Sequence, residues 1–209
     1  MQIVDFKPDF SKHITEQELR KGTVEVAKLL IGSYMICTVK ETSIVCRIVE
    51  TEAYLGTNDA ACHAATKRTP RNDKMFEHGG VIYVYAIYGI HHCINVVTED
   101  DSIGCAVLIR AAEPLHGIDF ILEQRGDFPT VKLLSGPGNV AKGLGFTRNE
   151  NGISCCNSEL WFQHKDKPLT IGVSTRIGIT KSADLPLRFF DIHSKSVSAH
   201  KRYSDVICE

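Results

Sequence analysis

Residues 44–54, IVCRIVETEAY, constrain the fold more than any other stretch of the chain. β-Branched and aromatic residues in such density suit an extended, pleated backbone. In a strand, alternate side chains share a face, so Glu50, Glu52 and Tyr54 fall together and Val49, Thr51 and Ala53 fall opposite. The apolar set suits a core, and the carboxylates beside a tyrosine are expected to face a cleft or solvent. A second run, VIYVYAIY at 81–88, continues through Gly89 into 90–97 and predicts a hairpin. Between the two runs, residues 55–80 lose all periodicity and carry the most basic local cluster, Lys67, Arg68, Arg71 and Lys74. A loop of that length in a compact domain is functional or disordered.

Around this frame the other elements follow. Thr15-Glu16-Gln17-Glu18 has the form of a capping box opening a short helix, and 23–31 reads as a second helix stopped by Gly32. Residues 34–39 and 44–54 predict antiparallel strands around a turn at 41–43. A further strand is expected at 105–110, a helix at 114–124, a short helix at 139–144, and late strands at 169–173, 176–179 and 187–190. The fold class expected is α+β: one domain over 1–209, a curved antiparallel sheet with a protruding β-hairpin and a few packed helices.

At 209 residues and 43% hydrophobic, the chain can bury a substantial core. A net charge of −1 and a pI near 6.7 argue against a protein coated in positive charge, so any nucleic-acid contact must use a local patch. The N-terminus shows neither a basic lead nor an apolar run, and no stretch approaches a membrane span. The expectation is a monomer of the cytoplasm if bacterial, or of the nucleus if eukaryotic. Eight cysteines show no disulfide-framework spacing, and Cys37, Cys46, Cys93 and Cys105 lie in apolar runs where thiols act as small hydrophobes.

Glu52 is the first candidate for chemistry, because a held carboxylate can take a proton from water and aim it at an electrophilic carbon. Taken alone it reads more readily as a strand carboxylate or an ion-pair partner. Arg110 ends an apolar strand and needs an acid, for which Glu52 is one option. Tyr54, His63, Tyr83, Tyr85 and Tyr88 are dense for a chain with 8% aromatics. Flat rings can sandwich a planar base, while single strand tyrosines more often pack cores. Tyr88, at the hairpin tip, has the placement of a wedge between base steps. His91, His92 and Cys93 with Cys62 and His63 match no zinc spacing, so no metal is expected. Residues 135–138, SGPG, read as a turn whose amides could contact phosphate. Three readings fit these residues: an enzyme using Glu52 for hydrolysis on a nucleic acid, a non-enzymatic binder of single strands, and a carboxylate-dependent hydrolase of free nucleosides or glycosides.

The ordered set of motifs decides among them. RIVETEAYLG at 47–56, His63, TPRN at 69–72, Met75-Phe76, YVYAIYG at 83–89, Cys93-Ile94-Asn95 and LIRAAEP at 108–114 together resemble the alkyladenine DNA glycosylase family. SGP at 135–137, Arg176-Ile177-Gly178 and PLRF at 186–189 match its later landmarks. The resemblance implies hydrolysis of the N-glycosidic bond of alkylated or deaminated purines, without cofactor, metal or protein partner, and without strand cleavage. It implies Glu52 as the general base, with Arg110 and the carbonyl of Ile177 holding the water. Tyr54 and His63 would stack on one face of an extruded purine and Tyr85 on the other, with backbone near Ala61 and His63 reading its edge. Asn95 would exclude normal guanine, Tyr88 would fill the gap in the damaged double-stranded DNA, and Arg71 and Gly136 would touch phosphates. The interval from His63 to Thr69 is one residue shorter than the family pattern, which bears on edge recognition.

Overall fold

The protein is described by a computed structural model covering residues 6–87, 89–199 and 201–208. The elements run α1 (Glu16–Leu19), α2 (Thr23–Leu30), β1 (Tyr34–Val39), β2 (Thr42–Leu55), β3 (Ile82–Ile87), β4 (His91–Thr98), β5 (Cys105–His116), α3 (Ile118–Arg125), α4 (Thr130–Leu133), α5 (Pro137–Gly143), β6 (Leu160–Gln163), β7 (Thr170–Ser174), β8 (Arg188–Asp191) and β9 (Asp205–Cys208). The architecture is the expected α+β, with an open antiparallel sheet ordered β3-β4-β5-β2-β8-β7-β9 and with β1 and β6 branching from β2.

Strand β2 organises the molecule. One edge pairs with β5 along its length, while the other is shared, 42–47 with β1 and 50–52 with β8. The change of partner coincides with register shifts around Ile48, Glu50 and Thr51, an irregularity of the kind that bends a strand and re-aims its side chains. Val49 and Ala53 enter the core, and Thr51 donates to the Ala27 carbonyl of α2. The expectation of a carboxylate face turned to cleft or solvent is corrected here: Glu50 and Glu52 are both 0% exposed. Glu50 is met by Arg188 from β8 and Arg110 from β5, and Glu52 by the same Arg110 and by the Ile177 amide.

Local chemistry accounts for most boundaries. Thr15 and Glu18 form both halves of the capping box of α1. The β1–β2 turn falls at Lys40 and Glu41, both left-handed, two residues that match the twist of a tight hairpin. The expected 114–124 helix begins later, at Ile118, because pairing with β2 carries β5 through Pro114 to His116. Gly117 then reverses the chain at φ +73, where a Cβ would lie 2.8 Å from the Ser43 carbonyl. The strand expected at 176–179 is a loop: Gly178 is left-handed, and the Ile177 amide donates to a side chain instead of a ladder. Three short elements, α4, β6 and β9, go beyond the sequence reading.

The 55–80 segment is ordered by a second apolar cluster, in which Cys62, Ala64 and Met75 pack with Tyr83, Val97 and Ala106. The chain leaves β2 at Gly56, left-handed and with a would-be Cβ 2.6 Å from the Ile103 carbonyl, so only glycine fits. Asn72 ties the loop internally, donating to the carbonyls of His63 (2.8 Å) and Lys67 (3.0 Å). All eight cysteines are free.

Candidate active site

The period-2 alternation of β2 brings Glu52 beside Tyr54, whose hydroxyl donates to Glu52 Oε2 at 2.9 Å. Arg110, from the facing strand β5, places its Nη1 3.3 Å from the same oxygen. The Ile177 amide donates to Oε1 at 2.8 Å. Ile177 thus meets Glu52 through its N–H, while the carbonyl that the resemblance assigns to the water is a separate group of the same residue. Burial pushes the Glu52 carboxyl above its ordinary value of 4.5, and the three donors only partly offset it. One residue further along the face, Glu50 accepts from Arg110 Nε (3.1 Å), Arg188 Nε (2.7 Å) and the Ser198 amide (2.6 Å). Burial acts upward on Glu50 as well, but two guanidinium groups and the amide hold it below 4.5.

Tyr54, Arg110 and Ile177 also form part of the wall of a cavity of ≈ 360 Å³, shared with Ala61, His63, Arg71, Tyr83, Tyr85 and Asn95. That volume lies in the range of small-molecule sites. Glu52 sits directly behind this wall, held by three of its residues. Asn95 is buried and donates to the Tyr83 carbonyl at 3.1 Å. His63 shares a hydrogen bond with the Tyr83 hydroxyl at 3.1 Å, and burial together with the nearby Arg71 charge lowers its pKa. A neutral ring suits stacking.

Two details bear on the expected base sandwich and edge contacts. His63 and Tyr85 touch edge to face, with ring centroids 4.4 Å apart at 79°. A planar base between two rings needs about 7 Å, two van der Waals contacts, so this pair forms one continuous wall here. The amide of Ala61 is also engaged, donating to Asp59 Oδ1 at 3.1 Å.

Asp59 and Arg176 are the site's structural supports that the residue pattern did not reveal. Both side chains are fully buried and paired, Arg176 Nη2 donating to Asp59 Oδ1 at 2.8 Å and Nη1 to Oδ2. The Arg176 guanidinium also lies 4.6 Å from the Tyr54 ring centroid and donates to the Ala53 carbonyl. One face of Tyr54 is thereby backed by a cation. The pair spans 117 residues, and no local spacing announces it.

Of the expected DNA-contacting residues, Arg71 is exposed, donates to the Ala86 carbonyl at 3.1 Å and lies 5.7 Å from the Tyr85 ring. Gly136 precedes α5 at φ +107, and its amide donates to the Arg110 carbonyl at 3.0 Å. That amide is engaged within the protein, so it anchors Arg110 and does not face an anion. Tyr88 lies outside the described residues. A wider open groove, ≈ 710 Å³, passes His91, His92, Phe120 and Lys142 behind the hairpin. Its carboxylates, Glu150 and Glu159, are not enclosed. Among the described residues, no group of three His, Cys, Asp or Glu side chains is arranged to hold a metal, and no helix is long and apolar enough to cross a membrane.

An enclosed acid behind an aromatic-lined cavity, with Arg71 of the basic loop in its wall, is the arrangement of an enzyme that takes a flat aromatic ring. The particular family follows from comparison with known proteins. Residues 17–195 match the methylpurine-DNA glycosylase family model, and the chain belongs to that family, the DNA N-glycosylases of alkylated-base repair. It is 44% identical over 193 residues, 90% of this chain and 91% of the relative, to the "Putative 3-methyladenine DNA glycosylase" of Chlorobaculum parvum. Proteins bearing the same name in Methanoculleus marisnigri (43%, covering 85% of this chain and 94% of the relative) and Chlorobium luteolum (42%, 84% and 91%) are similarly related.

Proposed function

We propose that the protein removes 3-methyladenine and related alkylated or deaminated purines from duplex DNA by flipping the nucleotide into the 360 Å³ cavity and hydrolysing its N-glycosidic bond. The carrying observation is Glu52, an enclosed carboxylate with its hydrogen-bond partners Tyr54, Arg110 and Ile177 all in the wall of that cavity. In the duplex the anomeric carbon is shielded, so extrusion must precede chemistry, at an unstacking cost of a few kcal/mol that is least for damaged bases. The everted purine stacks on the free face of Tyr54 and against the wall made by His63 and Tyr85. Alkylation at a ring nitrogen makes the base cationic, which favours the electron-rich tyrosine faces. Asn95 rejects the 2-amino group of normal guanine.

As the nucleotide enters, one water reaches Glu52 among its three partners. Glu52 takes a proton from that water as oxygen attacks C1′, and the purine leaves with the bond electrons. Arg110 stabilises the ionised carboxylate and the geometry of attack. The described residues lining the cavity include no lysine, so no Schiff base forms and the product is an abasic site in an intact strand. Arg71 and its basic neighbours hold the flanking phosphates, and the Tyr88 ring fills the vacated stack.

The test is Glu52→Gln, assayed for free hypoxanthine or 3-methyladenine released from a duplex and, separately, for binding of the same duplex. Removing a general base costs roughly 10²–10⁴-fold in rate, with binding retained. A variant that releases purine at the native rate would remove Glu52 from this role.

A further inference from the structure

The family match ends at residue 195, yet the chain beyond it returns to the buried acids. Ser196 and Val197 are buried, and the Ser198 amide donates to Glu50 Oε2 at 2.6 Å. The Ser198 hydroxyl lies 3.5 Å from Arg110 Nη2. The segment is fastened on both sides of this point. Before it, the Ser196 amide donates to Ser194 Oγ at 3.1 Å. After it, Lys201 Nζ donates to the Ile192 carbonyl at 3.0 Å, the Ser204 amide to Val173 at 2.8 Å, and β9 adds to the sheet edge on β7. None of the described residues of this segment lines the cavity; it reaches the wall only through Arg110.

We infer that Ser198 is a positioning residue: its backbone N–H fixes Glu50, and Glu50 in turn fixes the angle at which Arg110 meets Glu52. The guanidinium is planar, so the 3.1 Å contact of Nε with Glu50 and the 3.3 Å contact of Nη1 with Glu52 are set by one rigid body. Glu50 Oε1 already accepts from both Arg110 and Arg188, whereas Oε2 accepts from Ser198. Without that amide the carboxylate can rotate about its last bond, and Arg110 rotates with it. A shift of a fraction of an ångström at Nη1 falls directly on Glu52. The segment after 195 thus buttresses Arg110 through a backbone amide from outside the catalytic site. This rests on the reading of Glu52 given above.

The backbone role is separated from the hydroxyl by comparing Ser198→Pro, which removes the N–H, with Ser198→Ala, which keeps it. Single-turnover release of hypoxanthine from a duplex reports chemistry, affinity for the same duplex reports binding, and thermal unfolding reports the fold. Loss of a hydrogen bond to a charged group predicts a rate about tenfold to a hundredfold lower for Ser198→Pro, with duplex affinity unchanged and Ser198→Ala within about twofold of native. Equal rates for Ser198→Pro and native protein would overturn the inference. So would a fall in rate matched by the same fall in affinity or in folded fraction. Full activity in Glu52→Gln sinks the catalytic reading itself, whereas an inactive Glu52→Gln beside a fully active Ser198→Pro sinks only the role of Ser198.

Discussion

Glu50 and Glu52 share a strand and a face, both are fully enclosed, and both touch the same guanidinium, Arg110. Their surroundings still drive them apart. Glu50 faces two arginines and an amide from the 198 turn, which hold it ionised. Glu52 has one arginine, one amide and one hydroxyl, and burial wins, lifting it above 4.5. Neighbouring acids whose environments separate their pKa values divide labour between structure and chemistry. The Glu50 side is a closed ion cluster facing the sheet interior; the Glu52 side backs onto the cavity. A group whose charge is over-compensated cannot serve as a proton acceptor. The one left under-compensated is poised to take a proton.

The largest effect that could break this comparison concerns stability. Glu50→Gln removes the buried charge on which Arg110 Nε, Arg188 Nε and the Ser198 amide converge, and losing one partner of such a cluster costs ~3–5 kcal/mol. Glu52→Gln removes a carboxylate that burial already disfavours, while its amide oxygen can still accept from Ile177 and Arg110 keeps Glu50. Denaturant titration should therefore show a large loss for Glu50→Gln and little or none for Glu52→Gln. Equal losses would mean that the two acids are equivalent structural ions.

This difference also marks how far residue patterns reach. Period-2 alternation correctly placed Tyr54 against Glu52, and an arginine after an apolar run correctly implied an acid partner for Arg110, although β5 continues past it to His116. The hairpin and the helix carrying a capping box were equally legible, because turn and cap chemistry are local. The partners that set the character of each acid are not local. Arg188 lies 138 residues from Glu50, Ile177 lies 125 from Glu52, and Asp59 lies 117 from Arg176. Only the order of strands in the sheet brings them together. The same pairing overrode local preference where β5 runs through Pro114, and it left 176–179 a loop, since Ile177 donates to a carboxylate instead of a strand.

A smaller effect sharpens the contrast through pH. Glu52 must be ionised to accept a proton, so the single-turnover rate on a hypoxanthine duplex should fall with acidity along a limb centred above 4.5. Stability should respond to the two acids with opposite signs. A raised folded-state pKa means that Glu52 contributes most at low pH, and the contribution is lost as pH rises through its folded value. The depressed pKa of Glu50 gives a contribution present above its ordinary value and lost as pH falls through the folded one. Each unit of separation is worth about 1.4 kcal/mol. A rate that stays flat down to the ordinary glutamate range would show that no acid of elevated pKa limits the chemistry.

The smallest and most discriminating change is Tyr54→Phe. It keeps the ring 4.6 Å from the Arg176 guanidinium and deletes only the hydroxyl that donates to Glu52 at 2.9 Å. A hydrogen bond to a charged group contributes about 1.5–3 kcal/mol, and with Arg110 and the Ile177 amide still on Glu52 the effect falls at the low end, so the rate near neutrality should fall about tenfold, with duplex affinity kept by the retained ring. Because the hydroxyl stabilises the ionised form of Glu52, its loss should move the acid limb to higher pH, widening the gap between the two carboxylates. Movement of the limb to lower pH would mean that Tyr54 restrains Glu52 by blocking solvent, and that access to water, more than charge balance, separates Glu52 from Glu50.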